Sequence, residues 1–356
     1  MVPERSDDLP VRRKVVAGLS GGVDSAVAAL LAVRSGYETV GVTLLTLGTR
    51  PEGARAVCQH LGIEHRGIDA VAQFEACVVR NFLDASVGGS TPNPCIECNP
   101  HVKFAVLGRE AEALGGAAIT TGHYARIRRH GDSWHLLRAV DRAKDQSYML
   151  YRLDQEILAR LLLPLGEYTK DQVREIAAEA GLPAASREES QDICFAPEGV
   201  EAFIAARRPE AALPGPILDL DGREVGHHRG LAFYTVGQRR GLGIGGPGGR
   251  WYVLRILPAH NALVVGTEAD LRVGRCEVER VRLVGAPPGD RFAASVMTRY
   301  RGVETPAEVQ LQGDRAIIRF RGLHPAAAPG QSAVFYGPDT DAERLIGGGI
   351  IVPPED

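Results

Sequence analysis

The chain has 356 residues, 44% of them hydrophobic and 24% charged, with a formal net charge of −3. That length exceeds one ordinary core and predicts two or three globular domains. The balance of charge argues against a generally basic nucleic-acid binder, and no apolar stretch approaches a membrane span, so no membrane association is expected.

Met1 to Lys14 is a polar arm without the apolar core of an export signal, and it is expected to fray. Val15 to Leu19 reads as a buried strand, and Ala26 to Val33 as a helix ended near Gly36. Between them stands Ser20-Gly21-Gly22-Val23-Asp24-Ser25. A glycine pair at a strand-to-helix turn lets backbone N–H groups face an anion, and the helix N-terminus adds partial positive charge. The loop therefore predicts a phosphate cradle. It is not a Walker A loop, because no Lys-Ser or Lys-Thr pair follows the glycines. An acid at this place repels phosphate unless a cation bridges the two or the acid caps the helix. The plain alternative is a tight turn with Ser20 or Asp24 as cap.

Thr39 to Leu47 is apolar and β-branched, hence a strand. Glu52 to Leu61 and Phe74 to Leu83 read as helices, and Val102 to Leu114 as a helix ending at Gly115-Gly116. A short strand, Ala117 to Thr121, follows, and Asp171 to Ala180 is a later helix. This alternation predicts an α/β fold: a parallel sheet with helices on both faces and ligands at the carboxyl ends of its strands. The Ser20 loop and Thr121-Gly122-His123-Tyr124 both fall at such ends.

From about Pro214 glycine and proline become dense, and short alternating runs replace helices. Asp221-Gly222 reads as a hairpin turn. Strands are predicted at Trp251 to Ile256, Ala262 to Val265, Ala294 to Tyr300, Glu308 to Leu311, Ala316 to Phe320 and Ala333 to Tyr336. The expected domains are 1–200, catalytic; 201–274, a small connector; and 275–356, a β-barrel or sandwich. Basic spots at Arg126, Arg128 and Arg129, at Arg207-Arg208, at Arg239-Arg240 and at Arg299-Tyr300-Arg301 leave room for a local RNA-binding face.

Six sparse, irregularly spaced cysteines suit a cytoplasmic chain with reduced thiols. Cys95 and Cys98 form a C-x-x-C pair behind two stiffening prolines, in Thr91-Pro92-Asn93-Pro94-Cys95-Ile96-Glu97-Cys98. Half of a zinc site and a redox pair are the plain readings. A zinc site needs a second close pair that the sequence does not offer. Cys194, in Gln191-Asp192-Ile193-Cys194-Phe195, is expected on an accessible loop where a thiolate can react. Cys58, Cys77 and Cys276 read as packing residues.

The Ser-Gly-Gly-Val-Asp-Ser loop resembles that of the ATP pyrophosphatases. Taken with Thr91-Pro92-Asn93-Pro94, Cys98-Asn99, Lys103-Phe104, Thr121-Gly122-His123-Tyr124, Lys144-Asp145-Gln146-Ser147-Tyr148, Asp192-Ile193-Cys194-Phe195, Thr235-Val236-Gly237-Gln238-Arg239, Thr298-Arg299-Tyr300-Arg301 and Pro329-Gly330-Gln331, in that order, the chain resembles the tRNA-specific 2-thiouridylases from about residue 14 to 352. The resemblance implies ATP with Mg2+ as co-substrate, tRNA as substrate, a persulfide donor such as a cysteine desulfurase or sulfur-relay protein, and a monomer. It implies adenylation of the C2 oxygen of the wobble uridine, then sulfur transfer. By position, Cys194 matches the persulfide carrier and Cys98 its partner thiol. A transient Cys98–Cys194 disulfide is implied, which a reductant must reset. Gly18, Leu19, Ser20, Gly21, Gly22, Val23, Asp24, Ser25, Leu44 and Gly122 match ATP-binding positions. Asn93, Pro94, Cys95, His123, Lys144, Asp145, Gln146, Arg299, Tyr300 and Gln331 match tRNA-facing ones.

Plainer readings stand beside these. His123 suits a core histidine satisfied by a carbonyl, Lys144-Asp145 an exposed ion pair, Arg299-Tyr300 a strand pair and glycines 241 to 249 a flexible loop. Relatives carry an acid or a cysteine at the position of Cys95, so no acid–base role is carried over to it. The segment after Leu47 is short, and its reduction is expected to open or reshape the ATP pocket. Three other functions compete. One is thiolation with a [4Fe–4S] cluster held by Cys95, Cys98 and Cys194. Another is an amide-forming ligase with the same ATP loop. The third is a non-catalytic nucleotide- or RNA-binding module.

Overall fold

The computed structural model describes residues 14–183, 193–244, 250–338 and 341–354. The arm at residues 1–13, residues 190–192 before Cys194, and glycines 245–249 lie outside the described residues. Among the described residues, no helix is long and apolar enough to cross a membrane.

Five parallel strands among the described residues form the first sheet. They are β1 (Lys14–Gly18), β2 (Glu38–Leu45), β3 (Glu64–Asp69), β4 (Ala118–Thr120) and, after the hairpin of β5 (Ala125–His130) and β6 (Ser133–Arg138), β7 (Leu161–Leu162). Their spatial order is β3-β2-β1-β4-β7. β1 lies in the middle, and its Val15 and Val16 are fully buried, as a strand covered on both faces requires. The order reverses direction between β1 and β4, which opens a crevice at their carboxyl ends. β3 was not predicted. It reads Glu-His-Arg-Gly-Ile-Asp because it lies at an edge, half in water.

Helices α1 (Val23–Arg34) and α2 (Glu52–Leu61) pack on one face together with Lys170–Glu179. Phe104–Ala113 covers the other face through Phe104 and Leu107. The helix bearing Cys95 and Cys98, Pro94–Cys98, continues into a π-turn at Asn99–Lys103. Pro100 has no N–H for the regular ladder, so the hydrogen bonding widens there.

The connector is a sheet of β8 (Gly215–Leu218), β9 (Glu224–His228), β10 (Tyr252–Leu257) and β11 (Ala262–Gly266), with Asp221-Gly222 in the turn between β8 and β9. A closed six-strand barrel follows among the described residues: β12 (Arg272–Leu283), β13 (Arg291–Met297), β14 (Glu304–Gln312), β15 (Arg315–Pro325), β16 (Ser332–Tyr336) and β17 (Leu345–Ile351). β13 stops at Met297 rather than Tyr300. Gly302 N donates to Arg299 O at 2.9 Å, and Arg301 turns back with φ 56°. β17 was also missed, since Gly347-Gly348-Gly349 argues against a strand. The glycines are there because neighbours crowd them: a Cβ on Gly347 would stand 2.3 Å from the Arg282 carbonyl oxygen.

The barrel is fused to the first domain by a shared core. Phe104, Tyr148 and Tyr151 pack in one cluster with Met297, Val334 and Tyr336. Tyr148 Oη donates to the Ser332 carbonyl at 2.7 Å, and the Tyr151 and Ser332 hydroxyls meet at 3.1 Å. Tyr148→Phe strands that buried carbonyl and should cost about 1–3 kcal/mol. Thermal unfolding followed by circular dichroism should show a lower midpoint; a midpoint equal to the parent's would remove this bond from the seam.

Candidate active site at the split of the sheet

β1 delivers its chain directly into the predicted cradle. Gly21 takes φ 82°, and Gly22 holds the N-cap position of α1 without a side-chain cap. Neither Ser20 nor Asp24 caps the helix. Ser25 Oγ instead donates back to Gly22 O at 3.0 Å and accepts from Ser20 N at 3.2 Å, so the loop folds on itself. The start of α1 is thereby left open to an anion. Asp24 meets the cation its position requires. Lys170 Nζ donates to both carboxylate oxygens at 2.7 and 2.9 Å, and Tyr124 Oη donates at 2.8 Å. Lys170 is buried. It lies 146 positions away, and nothing in the sequence marks it as the partner.

Gly122 brings β4 against this loop. A Cβ there would lie 2.6 Å from the Asp24 carbonyl carbon and the Ser25 nitrogen. His123 comes next. Lys103 Nζ stands 3.3 Å from its Nε2, and Thr121 Oγ1 stands 2.8 Å from its Nδ1. An ammonium only donates, so Nε2 accepts and Nδ1 carries the proton. Burial, helped by the Lys103 charge, holds this imidazole neutral, well below its usual range. Its partners are side chains rather than the backbone carbonyl expected of a core histidine.

The thiols lie on the other side of Lys103. Asn93 Oδ1 accepts from Cys95 N at 3.1 Å and caps the Pro94–Cys98 helix. Cys95 and Cys194 are exposed, and Cys98 is half-buried. Cys98, Leu44 and Ile193 each pack against the apolar cluster that holds Phe195. Phe195 is wedged among Phe74, Phe82 and Phe203, with ring centres 5.6, 5.5 and 5.0 Å away, and it anchors its neighbour Cys194. Burial pushes the Cys98 thiol up to about 11; charge on Cys95 or Cys194 would raise it too, and Lys103 works against both. The Cys95 and Cys194 thiols are also raised by burial and countered by Lys103. Cys95, Cys98 and Cys194 thus share one cation, which was not among the predicted site residues. Cys58 is buried in the α2 packing, as expected of a structural thiol.

Sequence relatives carry the same three-part plan. Residues 13–198 match the family described as tRNA methyl transferase HUP domain, 201–267 its PRC-barrel domain, and 273–351 the aminomethyltransferase beta-barrel domain. A protein of Chloroflexus aggregans named tRNA-specific 2-thiouridylase MnmA is 47% identical, covering 96% of this chain and 99% of its own. Bearers of the same name in Roseiflexus castenholzii and Carboxydothermus hydrogenoformans are 44% and 40% identical, over 95% and 97% of this chain and 99% of theirs. The chain belongs to the tRNA-specific 2-thiouridylase family.

In this member of the family the other predicted residues divide between seams and surface. Gln331 Nε2 donates to Thr91 O at 2.7 Å, Thr91 N donates to Pro329 O at 2.7 Å, and Thr91 Oγ1 reaches Thr235 Oγ1 at 3.2 Å. Barrel and connector together therefore clamp the approach to Cys95. Asp145 is buried and accepts from Ala139 N at 2.9 Å and Ser147 Oγ at 2.9 Å, so it is not an exposed ion-pair acid. Gln146 Oε1 accepts from Tyr124 N at 3.0 Å, and Lys144 is half-buried beside them. Tyr300 leans on Tyr148 at 6.0 Å, and burial raises its phenol, with Asp145 and Cys95 adding to the rise and Arg301 opposing it. Arg299 is exposed and lines a cavity of about 420 Å³ with Thr235, Arg272, Thr298 and Gln331. Glu97, between the two cysteines, was also missed. It is buried and pairs with Arg152 and, across the domain seam, with Arg280 at 3.0 Å.

Lys170→Met should leave the Asp24 charge uncompensated beside the phosphate loop. ATP affinity, read by titration calorimetry, should fall about tenfold, roughly 1.4 kcal/mol, and Lys170→Arg should lose less. Unchanged affinity in Lys170→Met would show that the pair does not tune the cradle.

Proposed function

We propose that the chain is an ATP-dependent tRNA 2-thiouridylase that works through a persulfide on Cys194. The observation that supports it best is continuity. Gly122 abuts the start of α1, His123 follows it in the chain, Lys103 meets His123 at 3.3 Å, and the Lys103 charge acts on the Cys98 thiol. The names of the relatives agree with it.

The α1 start and the Ser20–Ser25 loop take the phosphates of ATP, which arrives with its Mg2+. The C2 oxygen of uridine attacks the α-phosphorus, and pyrophosphate leaves. Cys98 thiolate then attacks the inner sulfur of the Cys194 persulfide. The Cys98–Cys194 bond forms, the sulfur–sulfur bond of the persulfide breaks, and hydrosulfide departs. Hydrosulfide adds at C2, AMP leaves with the oxygen, and one proton is released. A thiol reductant of the cell returns the disulfide to two thiols. The sulfur comes from a persulfide donor protein. Among the described residues, no group of three His, Cys, Asp or Glu side chains is arranged to hold a metal ion.

Cys194→Ala should keep pyrophosphate release with ATP and tRNA and lose sulfur transfer, with tRNA mass spectrometry as the readout. Normal 2-thiouridine formation in that variant would end the carrier role of Cys194. Arg299→Ala should weaken tRNA most at low salt and flatten the log–log salt slope by about one unit, the share of one phosphate contact. Superimposable salt titrations would remove Arg299 from the RNA interface.

A further inference from the structure

We propose that Lys103 is a catalytic residue of the sulfur-transfer step, stabilising anionic sulfur as it passes from Cys194 toward the nucleotide. The inference deepens the persulfide reading and depends on it. Three placements carry it. The π-turn Asn99–Lys103 begins directly after Cys98, and the Lys103 charge and backbone N–H both act to lower a Cys98 thiol that burial raises. The Lys103 ammonium lies 3.3 Å from His123 Nε2, next to the glycine that abuts the phosphate loop. Its charge also reaches Cys95, Cys98 and Cys194 alike. Among the described residues, Lys103 is the cation whose charge acts on all three thiols, with Tyr300 beside Cys95 and a neutral His123 behind the lysine.

The chemistry at this point needs such a charge. Discharge of the persulfide starts from Cys98 thiolate and ends with the Cys98–Cys194 disulfide and hydrosulfide. One negative charge moves from Cys98 to the released sulfur, and no electrons are gained or lost overall. The thiolate end of that path, Cys98, is packed with Leu44 and Ile193 against the apolar cluster around Phe195, where a neighbouring ammonium acts more strongly than in water. A neutral His123 cannot compete as the cation, and it holds the lysine in place by accepting a hydrogen bond from its ammonium at Nε2.

The test uses the full chain loaded with persulfide at Cys194 from a small persulfide donor, cleared of excess donor and followed in a single turnover. Hydrosulfide release is read by a fluorescent trap and the Cys98–Cys194 disulfide by peptide mass spectrometry. Lys103→Met should slow both about tenfold or more, while Lys103→Arg should recover most of the rate. Pyrophosphate release with ATP and tRNA is followed in the same variants, and a discharge defect no larger than the loss of pyrophosphate release would also overturn the role. If Lys103→Met lowers the thermal midpoint, Lys103→Gln replaces it in the comparison with Lys103→Arg. Discharge by Lys103→Met or Lys103→Gln at the parental rate would overturn the role of Lys103 alone. A parent chain that never forms the Cys98–Cys194 disulfide would overturn the sulfur route together with it.

Discussion

The site depends on how closely two strands' carboxyl ends approach at the split of the sheet. Gly122 meets the backbone of Asp24 and Ser25 where there is no room for a Cβ. That contact sets the start of α1 and the end of β4 side by side. It also fixes where His123 stands, and His123 in turn holds the Lys103 ammonium. The glycine turn before α1 and the His123–Lys103 pair thus stand side by side because one residue lacks a side chain.

Charge in this crevice is compensated wherever it is buried. Asp24 faces Lys170 and Tyr124, and Glu97 faces Arg152 and Arg280. Breaking one partner of such a pair leaves the other desolvated, which is why buried ions come in sets. The thiols are handled in the opposite way. Burial pushes the Cys98 thiol up to about 11, so in the resting chain it is protonated at neutral pH. A protonated thiol is a poor nucleophile and a poor target for oxidation. Ligand entry and the nearby lysine have to change that balance before sulfur moves.

The three domains act on the site together. The barrel and connector hold Thr91, four residues before Cys95, through Pro329, Gln331 and Thr235. Tyr148, Tyr151 and Tyr336 knit the barrel into the core of the first domain. Asp145 and Gln146, matched by resemblance to tRNA contacts, hold the backbone of this seam. Arg299 stays exposed and lines a cavity between connector and barrel.

The alternation of apolar runs was enough to determine a parallel α/β domain followed by small β modules, because buried strands and amphipathic helices must repeat with their own periods. The Ser20–Ser25 loop was legible for a similar reason: it is local, and its glycines act through their own backbone. β3 and β17 were not legible. One is a polar edge strand, and the other is glycine-rich where neighbouring backbone crowds it. Lys170, Lys103 and Glu97 escaped as well, since a lone charged residue in a helix or turn reads as solvated until its partner is known. Those partners lie 146, 20 and 183 positions away. Sequence by itself therefore determined the periodic elements and the glycine turn before α1. Only the tertiary structure decided which cation serves which anion, because electrostatic pairing depends on distance in space and leaves no period in the chain.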